Sequence, residues 1–272
     1  MSVINVQNLT RDYGAGRGIF DVSFSIEKGE VFGFLGPNGA GKTTTIRHLM
    51  GFLKPQSGKC TVEGLDCWKD SATIQERLGY VPGEISFFDD MTGDEYLAFM
   101  EKYRRIDADS RKNELLDFFE LDPRGKIKKM SKGMKQKMGL VTAMMHDPDV
   151  LIFDEPTSGL DPLMQSRFVE FVEAEKKRGK TILLSSHMFE EVERTCDRIG
   201  IIRNGKLVAL DSVEELRKRH VRSYTVTLDT KELAASFAND FGGLLDGQKV
   251  TVMTKQSLEE IFMNYYGGEK NA

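Results

Sequence analysis

Eight consecutive residues, Gly36-Pro37-Asn38-Gly39-Ala40-Gly41-Lys42-Thr43, fit G-x-x-x-x-G-K-[ST] at every fixed position, and Thr44 follows them. Glycines at this spacing let the backbone curl until successive N–H groups point inward at phosphate oxygens. Lys42 is then placed to reach the β- and γ-phosphates of a nucleotide, and the Thr43 hydroxyl can ligate Mg²⁺. A glycine-rich turn that binds nothing is the bland alternative. Its setting argues against that: the apolar run Val31-Phe32-Gly33-Phe34-Leu35 reads as a buried strand before the loop, and Thr44 to Met50 reads as a helix after it.

Three further groups of residues suit the same chemistry. Asp154-Glu155 closes the apolar run Asp149-Val150-Leu151-Ile152-Phe153, which has the look of a strand covered on both faces. Such a strand ends at the edge where α/β sheets hold their ligands. Asp154 suits Mg²⁺, directly or through water, and Glu155 suits a general base or water positioner for attack on a γ-phosphate. Adjacent carboxylates at a strand end are otherwise merely solvated, and the upstream phosphate loop tips the balance. His187, after Thr181-Ile182-Leu183-Leu184-Ser185, comes to the same edge, where a neutral imidazole can hydrogen-bond the γ-phosphate or the water. Finally, Met130-Ser131-Lys132-Gly133-Met134-Lys135-Gln136-Lys137 opens a helix with Ser131 as its cap. A serine, a glycine and free helix-end amides make an anion site. Because the chain already has a phosphate loop, a second anion site suggests a phosphate carried by another subunit. The rival reading is a basic patch, since Lys126, Lys128, Lys129, Lys132, Lys135 and Lys137 cluster here. Nucleic acid is not expected, because no aromatics interleave with the lysines.

Stepping outward, the elements that must position these groups alternate strand and helix. Ile4 to Leu9 and Val22 to Ile26 alternate apolar and polar as half-buried strands do, with Arg11-Asp12-Tyr13-Gly14 between them. Tyr13 there is either an adenine-stacking ring or an ordinary surface tyrosine. Thr61 to Gly64 and Leu78 to Val81 are short strand candidates. From about Phe87 to Met145 the texture is helical: Thr92-Gly93-Asp94-Glu95 is a capping box for a helix carrying Tyr96, Phe99, Met100 and Tyr103 on one face. Leu115, Leu116, Phe118 and Phe119 mark a second helix. A helix from Met164 to Lys177 and a strand, Asn-Gly turn and strand over Gly200 to Val208 complete a largely parallel α/β core. The tail has its own pattern, with alternation over Tyr224 to Leu228, a helix face of Leu233, Phe237 and Phe241, an Asp246-Gly247 turn and an amphipathic end with Leu258, Ile261, Phe262 and Tyr265. The predicted fold is therefore α/β with an inserted helical subdomain over about 87–145 in a domain spanning 1–218, followed by a small α+β appendage over 219–272.

Composition narrows the function. The 272 residues suffice for one full core and a small second one, and a net charge of −4 argues against coating nucleic acid. No apolar run approaches the length that spans a bilayer, and the N-terminus lacks a basic-then-apolar leader, so a cytoplasmic protein is expected, with any membrane role exerted through a partner. The three cysteines, Cys60, Cys67 and Cys196, cannot all pair and suit no zinc site. His48, His146 and His220 stand alone and read as structural or surface residues.

Taken together, these motifs resemble the nucleotide-binding subunit of ABC transporters over about the first four-fifths of the chain. Gly36 to Thr43 matches the Walker A loop, Val150 to Glu155 Walker B, Ser158-Gly159-Leu160-Asp161 the D-loop and His187 the switch histidine. Tyr13 matches the adenine-stacking aromatic. Met130 to Gln136 is similar to the family signature, normally Leu-Ser-Gly-Gly-Gln, but Lys132 replaces a glycine and Met134 the glutamine. That form is similar to bacterial ABC-2-type exporters of antibiotics, lipids or small ions, which carry a like appendage. A second departure falls at Tyr80-Val81-Pro82-Gly83-Glu84, where the family has glutamine after proline; either Gly83 holds that coupling position or Glu84 takes it over.

The resemblance implies a P-loop NTPase (RecA-like) core that binds ATP with Mg²⁺. It implies a homodimer closing head-to-tail on two ATP molecules, each between one copy's phosphate loop and the other's Ser131 loop. Hydrolysis through Glu155 and His187 would reopen the dimer, and the helical block would pass the motion to a separate transmembrane permease, holding the protein peripherally on the inner face of the membrane. A soluble ABC-type ATPase acting on nucleic acid or the ribosome is the competing class, disfavoured by the single phosphate loop and the lack of a heptad run. A regulatory subunit that binds ATP without turning it over is disfavoured by Glu155 and His187.

Overall fold

The computed structural model describes residues 2–106, 111–219 and 221–267 and divides into two compact units, Met1–Leu210 and Asp211–Ala272. The first is built on two sheets. Strands β1 (Ser2–Asp12) and β2 (Gly18–Glu27) form an antiparallel hairpin, longer than its alternating cores predict. β3 (Val31–Leu35) runs into the phosphate loop and then α1 (Lys42–Leu49). β4 (Ser57–Val62) and β5 (Leu65–Asp66) add to the hairpin in the order β2-β1-β4-β5, and α2 (Ser71–Arg77) leads to β6 (Leu78–Val81).

The second sheet carries the chemistry. After the helical segment come β7 (Val150–Asp154), α6 (Pro162–Lys177), β8 (Thr181–Ser186), α7 (Phe189–Thr195), β9 (Arg198–Arg203) and β10 (Lys206–Ser212). The strand order is β10-β9-β3-β8-β7-β6, and the pairings from β9 through β6 are parallel. β3, β7 and β8 are buried at every residue, which explains why they read as continuous apolar runs rather than alternations. Register aligns their ends: Leu35 sits opposite Ser186, and Asp154 opposite Ser185. Phe24 of β2 stacks on Phe32 of β3 with ring centroids 5.1 Å apart, joining the two sheets. Phe153 meets Phe168 of α6 edge-on at 5.5 Å.

The helical segment comprises α3 (Gly93–Arg104), α4 (Lys112–Phe118), a 3₁₀ turn (Ile127–Lys129) and α5 (Lys132–Met144). α3 starts on the predicted capping box, with Thr92 accepting from the Glu95 amide and the Glu95 carboxylate accepting from the Thr92 amide. Phe118 and Phe119 pack on Phe171 of α6. Arg111, just before α4, reaches Asp147 at 3.2 Å and the buried Glu175 at 3.0 Å, so the segment is tied to the core by ion pairs as well as rings.

The second unit begins earlier than the expected residue 219. Its α8 (Val213–Arg219) packs on α10 (Leu258–Gly267), so that helix belongs with the tail rather than with the core. Between them lie β11 (Val221–Thr227), α9 (Lys231–Phe241), β12 (Leu244–Asp246) and β13 (Lys249–Lys255), the strands forming an antiparallel sheet in the order β11-β13-β12. All three cysteines are free and buried, and His48 is buried; His220 lies outside the described residues. No helix among the described residues is long and apolar enough to cross a membrane.

Candidate nucleotide site

The phosphate loop is shaped by close packing. Gly41 caps α1 with φ +118°, and a Cβ there would stand 2.7 Å from Ile19, so only glycine fits. With no side-chain cap and no acidic residue in the first turn of α1, the opening amides are left for a ligand. Pro37, Asn38, Gly39, Gly41, Lys42, Thr43 and Thr44 line one pocket together with Glu155. Gly36 and Ala40 stand behind this lining, Gly36 against the backbone of Ile202 and Ala40 buried. The Lys42 ammonium lies within 2.6 Å of the Gly36 carbonyl, 3.3 Å of the Pro37 carbonyl and 3.2 Å of Glu155 Oε1.

The carboxylate pair divides its tasks. Asp154 is fully buried; Ser185 Oγ donates to its Oδ1 at 2.5 Å, while its Oδ2 has no hydrogen-bond partner. An unpaired buried carboxylate oxygen is costly, and a cation beside it would remove that cost. The residues present therefore fit Mg²⁺, with Thr43 exposed at the start of α1 as a second ligand. No group of three or more His, Cys, Asp or Glu that could hold a metal ion occurs among the described residues.

Glu155 is held in the left-handed region at φ +50°, a conformation that costs a non-glycine residue about 1–2 kcal/mol. Its amide donates to both the carbonyl and the hydroxyl of Ser185, each at 3.1 Å. Its Oε2 lies 3.1 Å from His187 Nδ1. With Nδ1–H donating to the carboxylate, a neutral His187 presents Nε2 as an acceptor. It can then orient a water, whereas donating to a phosphate oxygen would need a second proton on the ring.

The remaining predicted residues are placed elsewhere. Tyr13 sits in the β1–β2 turn, 46% exposed, with the Arg11 guanidinium 5.3 Å over its ring, and does not line the phosphate-loop pocket. Ser131 caps α5 by accepting from the Met134 amide at 3.2 Å, and Asp161 caps α6 by accepting from the Met164 amide at 3.0 Å. Lys132 Nζ donates to Ser158 Oγ at 3.1 Å, and its alkyl chain lies where a Cβ on Gly159, at φ +86°, would meet it at 2.9 Å. Gly133 abuts the Gly159 carbonyl. Gly83 runs past Asp154, whose Oδ2 would lie 3.5 Å from a Cβ there, while the exposed Glu84 shares a pocket with Gly83, Lys132 and Gln136.

Sequence reasoning missed Ser185, which holds both Asp154 and Glu155, and Gln136, whose buried amide donates to the Pro156 carbonyl at 2.7 Å. The pattern Ser185-Ser186-His187 carried a signal for the first, and the signature-like stretch Met130 to Gln136 ended on the second without giving its side chain a role.

Comparison with known proteins agrees with this geometry. Residues 19–158 match the ABC transporter family. The linearmycin resistance ATP-binding protein LnrL of Bacillus subtilis (strain 168) is 36% identical over 92% of this chain and 82% of its own. The bacitracin transport ATP-binding protein BcrA of Bacillus licheniformis is 36% identical over 80% of this chain and 72% of its own. A solved structure of an ATP binding subunit of an ABC transporter superposes with a TM-score of 0.74 at 31% identity, over 80% of this chain and 93% of that one. The chain belongs to the ABC transporter family, as one of its ATP-hydrolysing cassettes.

Proposed function

We propose that this chain is the motor subunit of an exporter, dimerising on ATP and driving a separate permease that moves a drug, antibiotic, lipid or similar small cargo out of the cell. The observation that carries the hydrolytic part is the run Lys42–Glu155–His187 at the mouth of the phosphate loop, at 3.2 and 3.1 Å. An incoming β,γ-phosphate replaces the carbonyl and carboxylate partners of Lys42, which frees Glu155 to accept the proton of the attacking water while His187 Nε2 helps aim that water. Mg²⁺ held by Thr43 and Asp154 would neutralise charge on the phosphates. Tyr13 stacks on the adenine.

The Ser131 loop does not line the phosphate-loop pocket, which supports its serving a second copy's γ-phosphate, with Gly133 and Met134 lending amides, Lys132 lending charge, and Asp161 at the seam between copies. The permease reading is supported by an apolar groove of ≈ 390 Å³ lined by Phe87, Phe88, Tyr96, Phe99, Met100 and Tyr103. Phe88 and Tyr103 are 56% and 73% exposed there, and such apolar exposure marks interaction surfaces. Docking there would hold the cassette on the inner face of the membrane. Gly83 and Glu84, which come just before this groove in sequence and of which Gly83 runs past Asp154 in space, form the coupling loop. The names of the relatives, linearmycin resistance and bacitracin transport, support an antibiotic-type cargo.

The test is purification of tagged Glu155→Gln protein from gently solubilised membranes with ATP present. Co-purification of a polytopic membrane protein is expected. Ribosomes or nucleic acid in its place would overturn the exporter reading in favour of a soluble ATPase.

A further inference from the structure

One buried acid is used by none of the steps above. Glu191, on α7, is 4% exposed, and its Oε2 accepts from two hydroxyls: Ser186 at 2.8 Å and Thr157 at 3.3 Å. Its Oε1 is buried with no hydrogen-bond partner. Burying a carboxyl in this way is strongly unfavourable when it is ionised. Burial pushes its pKa up to about 7 against the opposing hydrogen bonds of Ser186 and Thr157, with the nearby Glu155 charge adding to the rise.

Its two donors lie beside the catalytic pair. Thr157 is two residues beyond Glu155 on the loop leaving β7, and Ser186 is the last residue of β8, immediately before His187. Ser186 Oγ also accepts from the Met188 amide at 2.9 Å, so the turn around His187 closes on the same hydroxyl that Glu191 holds. Glu155 itself sits at φ +50°, a strained setting that persists only where its surroundings over-determine it. Ser185 fixes the amide side of that residue. On the side toward Thr157, the Ser158 amide donates to the Glu155 carbonyl at 3.1 Å, and the Thr157 hydroxyl is held by Glu191.

We propose that Glu191 is a positioning residue for hydrolysis: its carboxyl staples the Thr157 and Ser186 loops together and so keeps Glu155 and His187 in mutual register. It touches neither nucleotide nor water and acts through the two hydroxyls. The inference rests on the ATPase reading above.

The test is steady-state ATP turnover and ATP affinity of the full chain against Glu191→Ala, Glu191→Gln, Thr157→Val and Ser186→Ala. Loss of the staple loosens the pair without touching the phosphate loop, so kcat of Glu191→Ala should fall by roughly tenfold to a hundredfold with KM for ATP within about twofold. Glu191→Gln should recover most of that loss, because its amide oxygen still accepts from both hydroxyls. Thr157→Val and Ser186→Ala leave Glu191 in place and should each lower kcat at constant KM, which keeps the test alive if the alanine variant does not fold. A merely structural glutamate would lower the melting temperature and leave kcat per folded molecule unchanged. A Glu191→Ala or hydroxyl-deleted chain with parental kcat overturns the inference alone, as does a glutamine variant no better than alanine. A parent chain without turnover overturns the ATPase reading and the inference with it.

Discussion

The phosphate loop and the Ser131 loop, the two anion sites proposed for this chain, are built to opposite plans. In the first, the groups that meet phosphate hold one another: Lys42 is paired with Glu155 and Glu155 with His187. In the second, the groups are occupied with local structure. Ser131 caps its own helix and Lys132 leans on Ser158 and Gly159. The first half is a closed circuit that a nucleotide opens. The second is a helix start whose Ser131 and Lys132 side chains are already engaged locally. The proposed pairing of copies would bring one copy's phosphate loop to the other copy's Ser131 helix start.

Variants sharpen this contrast, and the largest effect is expected in the first half. Glu155→Gln removes the proton acceptor and should lower turnover by roughly 10²–10⁴-fold while ATP affinity, read by calorimetry, stays within a few-fold. Next is the pH dependence of stability contributed by Glu191. Its folded pKa of about 7 lies above the ordinary 4.5, so its contribution is complete below 4.5 and is lost as pH rises through 7. The parent should lose on the order of 3 kcal/mol across that window from this group, and Glu191→Gln should flatten the slope in urea titrations at pH 5 and pH 8. In the second half, Ser131→Ala removes a cap and should cost about 1 kcal/mol of stability, without changing ATP affinity of the separate chain. Lys132→Met deletes an exposed hydrogen bond while keeping the alkyl chain on Gly159 and should move the melting temperature least, by the equivalent of roughly 0.5 kcal/mol. A large fall in ATP affinity from either second-half variant, in the absence of dimerisation, would break the contrast.

The phosphate loop was legible in the sequence because its residues are neighbours along the chain, and Glu155 and His187 were legible because each follows an apolar run that reads as a strand. Gly36 to Thr44 specify their own turn, and the runs ending at Leu35 and Phe153 can only be strands buried on both faces. What was not legible depends on pairing across the fold. Glu191 follows His187 closely in sequence, yet its role comes from Thr157, which β7 and β8 bring to it. The Tyr96, Phe99, Met100 and Tyr103 face reads as an ordinary apolar helix stripe; only the structure leaves it as an open groove. The tail was placed from residue 219 because Leu216 and its neighbours carry no boundary signal, while packing on α10 draws α8 into the second unit.

The central claim is that each nucleotide site is assembled from one copy's phosphate loop and another's Ser131 loop. The most direct measurement is ATP turnover in a mixture of Lys42→Ala and Ser131→Phe chains. Each variant alone should be nearly inactive, since one cannot hold the phosphates and the other blocks the capping loop. The account predicts that mixing restores turnover, because a mixed dimer contains one site with both halves intact. Turnover in the mixture no greater than the sum of the two variants alone would contradict it.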